Sequence, residues 1–160
     1  MTKNVAENVD EQPWTVAFDK RSTEAFEAAM AVVPVSASAT ESTDILVFTN
    51  KGPVPAPRSR ALEIHEIPGI VNLYHEAALK AKIAGFDGVE VLAAGGYLLD
   101  QFLQNGTNLR TDAYGGSVEN RARLLLEVVE AVTEIFSPDR VAVRLSPQNL
   151  QGTDHRCRRF

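Results

Sequence analysis

The strongest constraint in this chain is an alternation between Phe86 and Leu145. Phe86-Asp87-Gly88-Val89-Glu90-Val91 has the composition of a short strand, and the small residues Ala93, Ala94, Gly95 and Gly96 lead from it into an apolar helical turn, YLLDQFL. A polar loop comes next. Ser117 then offers a helix N-cap, with Glu119 in the first turn where a carboxylate meets the positive end of the helix dipole. Val118, Ala122, Leu125, Val129, Val132 and Phe136 predict one apolar stripe on that helix, with Arg123 and Glu127 spaced for an i,i+4 ion pair. Ser137-Pro138-Asp139 stops the helix, and Arg140-Val141-Ala142-Val143-Arg144-Leu145 has the continuous apolar character of a buried strand. Strands joined through a helix pair in parallel, so the expected fold class is α/β.

Upstream, Ile67, Ile70, Val71, Tyr74, Ala77, Ala78 and Ile83 recur at three- and four-residue steps, predicting a helix that can start at Pro68 and end at Gly85. Asp44 to Thr49 is β-branched and aromatic enough for a strand, Asn50-Lys51-Gly52-Pro53 is turn chemistry, and Pro55 and Pro57 keep the next stretch extended. Ser22 to Val33 has helical spacing that Pro34 terminates. The expected organisation is an N-terminal arm and helix over 1–32, an α/β unit over 33–149 and a basic tail over 150–160.

Composition removes other classes. A single Cys excludes an internal disulfide, and no apolar run approaches the about 18 residues of a membrane span. The N-terminus lacks a basic segment followed by an apolar one, so a cytoplasmic protein is expected. A net charge of −5 argues against nucleic acid as the main partner, the basic residues Arg156, Arg158 and Arg159 being confined to the tail. His65, His75 and His155 have no metal-ligand spacing, and Cys157 has no fixed His or acid partner.

In parallel sheets and barrels, ligands meet the loops at the C-terminal ends of strands. Leu92 to Tyr97 and Ser146 to Asn149 occupy those positions. The Ala93-Ala94-Gly95-Gly96 run could let a backbone approach a phosphate, but it lacks the GxGxxG spacing of a dinucleotide-binding turn. Tyr97 is the local candidate for a proton donor, since a phenol with an ordinary pKa of about 10 stays protonated at neutral pH; packing as an amphipathic rim residue is the alternative. Arg144, in an apolar strand, needs an acceptor, either a ligand with an anionic or carbonyl-rich edge or an internal acid. Arg110, Asp112, Tyr114, Gly115, Gly116, Glu119, Asn120 and Arg121 have the charges and turn residues of a self-contained structural clamp.

Five strings in order, RALEIHEIPGIV (Arg60 to Val71), AGFDGVEV (Ala84 to Val91), GYLLDQFL (Gly96 to Leu103), NLRTDAYGGSVENRAR (Asn108 to Arg123) and VAVRLSP (Val141 to Pro147), resemble the Old Yellow Enzyme family of FMN-dependent NAD(P)H ene-reductases. The resemblance is close from Arg58 to Asn149 and looser from Val33 to Pro57, where the chain is similar to the family's surface hairpin. It implies a (β/α)8 barrel fragment around the fourth and fifth strands. It also implies FMN reduced by NAD(P)H, hydride transfer to an activated alkene such as an α,β-unsaturated carbonyl, and protonation of the α-carbon by a Tyr. The matching Tyr is Tyr97, and the family arginine that contacts the flavin ring matches Arg144.

Two departures modify those expectations. The family's His-x-x-Asn or His-x-x-His before the Tyr, whose side chains hydrogen-bond the substrate carbonyl, is replaced by Leu92 and Gly95. Losing one such donor costs about 2.7–4 kcal/mol in an oxyanion-type site, so impaired enone reduction is expected. A (β/α)8 barrel takes ~250 residues, roughly 90 more than this chain, so a truncated member is expected. The competing expectation is a non-catalytic barrel fragment that acts by self-association or by pairing with a longer homologue.

Overall fold

The computed structural model describes residues 33–40, 46–49, 52–55 and 58–147. The helix expected over 22–33 and the basic tail over 150–160 lie outside the described residues, apart from Val33. Among the described residues there are three two-stranded sheets. β1 (Val35–Ser36) pairs in parallel with β4 (Arg60–Ala61), and β2 (Leu46–Thr49) pairs antiparallel with β3 (Gly52–Pro55) as the expected hairpin. β5 (Val89–Ala93) pairs in parallel with β6 (Val141–Leu145), as the alternation predicts.

Among the described residues three α-helices accompany the strands. α1 (Ile67–Ile83) carries its Pro at the start, where the missing N–H costs nothing, and ends before Gly85, whose φ of 87° a residue with a Cβ rarely adopts. α2 (Leu98–Leu103) is the YLLDQFL turn. α3 (Val118–Thr133) is capped as predicted, the Ser117 side chain accepting the Asn120 N–H at 3.3 Å.

One core joins these elements. Ile67 and Ala78 from α1, Val91 and Ala93 from β5, Leu99 and Phe102 from α2, and Leu124, Leu125, Val128, Val132 and Phe136 from α3 and its C-terminal extension form a single buried cluster. Each large member contributes about 1.5–3 kcal/mol by leaving water. Phe102 stands edge-to-face to Tyr114, with centroids 6.5 Å apart.

Several expectations shift. The first strand begins at Val89 and runs to Ala93, so Leu92 lies inside it and Phe86 is 63% exposed before it. The buried seam of α3 is Leu124, Leu125, Val128 and Val132, and Val118 is 66% exposed, because the helix turns a neighbouring face toward α1 and α2. Ile83 likewise points outward. Arg123 donates to the Ala113 carbonyl and to Asn120 Oδ1, and Glu127 accepts the Tyr114 hydroxyl, so the expected Arg123–Glu127 pair does not form. β6 is not buried: Ala142 and Arg144 lie on the open face, and Val143 and Leu145, although on the side of the buried Val91 and Ala93, are exposed too, because among the described residues the helices cover that side at β5 and not at β6.

Candidate functional site

The parallel register sets Leu92 beside Arg144 and Ala93 beside Leu145. Side chains alternate across a strand, so Val89, Val91 and Ala93 face the helices while Glu90 and Leu92 take the open face. Arg144 shares that open face. Its Nε donates to Glu90 Oε1 at 2.7 Å and its Nη2 to Oε2 at 3.2 Å, a fork that leaves Nη1 outside the pair. The hydrogen bond to Glu90 raises the guanidinium above its already high pKa. Arg144 is therefore held by an acid, as one of the two sequence alternatives required, but in the open: its side chain is 62% exposed, which corrects the expectation of a buried guanidinium.

The turn after β5 is built from two glycines, Gly95 with φ 69° and Gly96 with φ 80°. Both N–H groups find side-chain acceptors. Gly95 N–H donates to Ser146 Oγ at 3.0 Å, and Gly96 N–H donates to Asp100 Oδ2 at 2.8 Å. The Ser146 hydroxyl donates to the same Asp100 oxygen at 3.4 Å, and Gln104 Nε2 donates to Oδ1 at 3.0 Å. Gln101 closes the turn from the other side by donating to the Gly96 carbonyl at 2.7 Å.

Tyr97 occupies the N-cap position of α2 on this turn and is 64% exposed. Its ring passes Gly95 closely enough that a Cβ built there would stand 3.6 Å from two ring carbons. Leu92, Gly95, Tyr97 and Arg144 thus converge on one end of one strand pair.

Asp100 is absent from the sequence-derived candidates, although it is 1% exposed and binds the turn. Its only signal in the sequence is a charge set between Leu99 and Phe102 in an apolar stretch. Ser146 was legible as a strand-end position, but its partner was not.

The cluster from Arg110 to Arg121 is the structural clamp the sequence indicates; the structure adds the buried Asn108 to it, and it reaches further than itself. Arg110 forks onto Asp112, at 2.5 Å from Nη2 to Oδ2, and its Nη1 donates to the Ala37 carbonyl at 3.1 Å and the Leu62 carbonyl at 2.5 Å. That fork holds the Asp112 carboxyl below its ordinary pKa. Asn108, buried, donates to the carbonyls of Phe102 and Tyr114 at 2.7 and 2.8 Å and accepts the Arg110 N–H at 3.1 Å. Arg121 donates to the carbonyls of Leu103 and Gly116. The clamp thus ties α2 and the start of α3 to the residues that follow β1 and β4.

Among the described residues no group of three His, Cys, Asp or Glu side chains is placed to hold a metal, and no helix is long and apolar enough to cross a membrane. A shallow cleft lined by Glu90, Asp139 and Arg140 sits at the opposite, N-terminal end of the strand pair, away from these candidates.

Known proteins resemble this arrangement. Residues 12–157 match the sequence profile of the NADH:flavin oxidoreductase / NADH oxidase family. The chain is 56% identical over 91 residues to 12-oxophytodienoate reductase 7 of Oryza sativa subsp. japonica, a match covering 57% of this chain and 23% of that protein. A solved structure of morphinone reductase in complex with tetrahydroNAD superposes with a TM-score of 0.73 at 50% identity, covering 78% of this chain and 36% of that one. The old yellow enzyme homologue from Zymomonas mobilis superposes with a TM-score of 0.73 at 47% identity, covering 77% and 35%. The chain therefore spans about a quarter to a third of the length of these relatives. With the match running over nearly its whole length, the chain belongs to the NADH:flavin oxidoreductase / NADH oxidase family.

Proposed function

We propose that this chain carries the proton-donor end of an FMN-dependent NAD(P)H ene-reductase site, acting on α,β-unsaturated carbonyl compounds or similarly activated alkenes. The observation that carries this reading is the register pairing of Leu92 with Arg144, with Tyr97 on the turn that follows Leu92. Residues 33–149 would then be a segment of a (β/α)8 barrel, β5 and β6 being two neighbouring barrel strands whose open face is the barrel interior.

The residues present fit one edge of a flavin. Arg144 offers a guanidinium in the open, oriented by Glu90 and with Nη1 directed outside that pair, which suits the carbonyl and nitrogen acceptors of the ring. FMN, when bound, supplies the carrier that exchanges a hydride with NAD(P)H and with the alkene. Tyr97 holds its proton at Oη, exposed at the mouth of the turn, and would deliver it to the α-carbon. Leu92 and Gly95 supply no side-chain donor for the substrate oxygen, so turnover is set low relative to a site that has one.

The experiment is direct. Purified chain is mixed with FMN and desalted; a retained yellow absorbance with a perturbed flavin spectrum is expected, and a colourless protein overturns the reading.

A second reading is favoured by one observation. Among the described residues β5 and β6 pair only with each other, with Leu92 and Leu145 exposed beside open strand edges. A non-catalytic segment that associates with a second copy of itself would cover those edges. Size-exclusion chromatography at several concentrations separates the two, since this reading requires a flavin-free species whose apparent mass grows with concentration.

A further inference from the structure

Among the described residues of the candidate site, Asp100 is the acidic side chain that is fully buried. It is 1% exposed, and its oxygens are occupied by Gly96 N–H, the Ser146 hydroxyl and Gln104 Nε2. Two of those partners belong to the ends of different strands: Gly96 follows β5 and Ser146 follows β6. Ser146 in turn receives Gly95 N–H, 51 residues earlier in the chain. A hydroxyl that donates its single hydrogen to Asp100 has its lone pairs left for Gly95, so the carboxylate decides which way the serine points. The result is a relay, Gly95 N–H to Ser146 to Asp100, closed by Gly96 N–H on the same oxygen.

We propose that Asp100 is the positioning residue for Tyr97, acting through Ser146 to lock the Gly95–Tyr97 turn onto the strand that carries Arg144. Glycines at positive φ give this turn no stiffness of its own, because glycine has the widest backbone freedom of any residue. Without the relay the turn is free to move relative to β6, and with it Tyr97 relative to Arg144. The proposal rests on the ene-reductase reading for its catalytic consequence, and on the hydrogen bonds alone for the positioning itself.

The test uses the full chain with Asp100→Ala, Asp100→Asn and Ser146→Ala, first by amide hydrogen exchange and then by turnover. Ser146→Ala should accelerate exchange at Gly95 about tenfold, the effect of one lost hydrogen bond, and leave Gly96 unchanged. Asp100→Ala should accelerate both amides. Asp100→Asn can keep its amide oxygen at the Oδ2 position for both Gly96 N–H and the Ser146 hydroxyl, its NH2 turned toward Gln104, whose side-chain amide can flip to accept, and should restore most of the protection. Ser146 lies at a partly exposed strand end, so its variant remains informative if Asp100→Ala fails to fold.

In the flavin-loaded protein, Ser146→Ala and Asp100→Ala should lower kcat about tenfold to a hundredfold with KM nearly unchanged, as a misplaced proton donor would. Asp100→Asn should recover kcat. Gly95 exchange unchanged in Asp100→Ala and Ser146→Ala overturns the relay; accelerated exchange with unchanged kcat overturns the positioning role. If the unaltered chain retains no flavin, the ene-reductase reading fails by itself, while the exchange pattern still decides whether Asp100 holds the turn.

Discussion

At Gly95 the backbone decides which side chain the proposed site could gain. Its φ of 69° lies in the left-handed region, where Asn and His are among the side chains most often found after glycine. Asn or His, which the family resemblance sets at this position, are therefore among the residues this backbone accepts with little strain. A Cβ here meets the Tyr97 ring at 3.6 Å, an ordinary contact. The double variant Leu92→His, Gly95→Asn is thus expected to fold and to raise enone turnover by a factor on the order of a hundred in flavin-loaded protein. Steady-state kinetics with a cyclic enone checks this, and unchanged turnover with flavin bound contradicts it.

Arg60 and Glu66 show a second residue-scale effect. The guanidinium forks onto both carboxylate oxygens at 2.7 Å, and Glu66 also accepts the Glu63 N–H at 2.8 Å. Its carboxyl is held at about 2, against an ordinary 4.5, chiefly by the hydrogen bond from Arg60. Asp112 is lowered in the same way by Arg110. A folded pKa below the unfolded one gives stability that is complete above the unfolded value and is lost as pH falls toward the folded one. Unfolding free energy measured by circular dichroism should therefore fall between about pH 4.5 and 2, and Glu66→Gln with Asp112→Asn should flatten that slope.

At the scale of elements, the loop between α2 and α3 is stiffer than its polar sequence suggests. A Cβ on Gly115 would collide with the carbonyl oxygen of Arg110, a backbone atom that the Asp112 fork and the Asn108 bond prevent from yielding. Gly115→Ala should cost about 1–3 kcal/mol by denaturant titration, whereas Gly116→Ala meets no atom and suffers only from its φ of 82°. Phe102, beneath the same loop, should cost about 3–5 kcal/mol when cut to Ala. The sequence disclosed the members of this clamp other than Asn108, because opposite charges and turn residues crowd together from Arg110 to Arg121. It did not disclose that Arg110 reaches Ala37 and Leu62, because contacts across 73 and 48 residues leave no local pattern. The rotated seam of α3 has a related cause: Val118, Ala122, Leu125 and Val129 form as good a stripe as Leu124, Leu125, Val128 and Val132, and only the helices packed against α3 select between them.

At the scale of the whole molecule, the β5–β6 pair carries helices on one face and lies open on the other among the described residues. That asymmetry exposes Ala142 and Arg144, while Val143 and Leu145 are exposed on the other side because the helices there cover β5 and not β6. The open face presents Leu92, Ala142 and the Glu90–Arg144 pair, so whatever covers it, flavin or a second copy, meets one ion pair in an apolar surround. Glu90→Gln should weaken flavin retention if Arg144 contacts the ring, because the fork that orients the guanidinium would lose its charge. Flavin fluorescence titration of the variant against the unaltered chain checks this, with equal affinity arguing against Arg144 as a flavin contact.

Local chemistry in the sequence determined a good deal: the parallel strand pair, the Pro68 and Ser117 helix starts, the hairpin, and the placing of Tyr97 after a small-residue turn. Each arises from capping, turn chemistry, periodicity or the order of strand and helix, which are read along the chain itself. Only the tertiary structure decided that Leu92 and Arg144 stand side by side, that Glu90 claims Arg144 in the open, and that Asp100 binds the ends of both strands. Those outcomes depend on strand register and on which faces are covered, and groups about 50 residues apart acquire a common geometry only when the chain between them has folded.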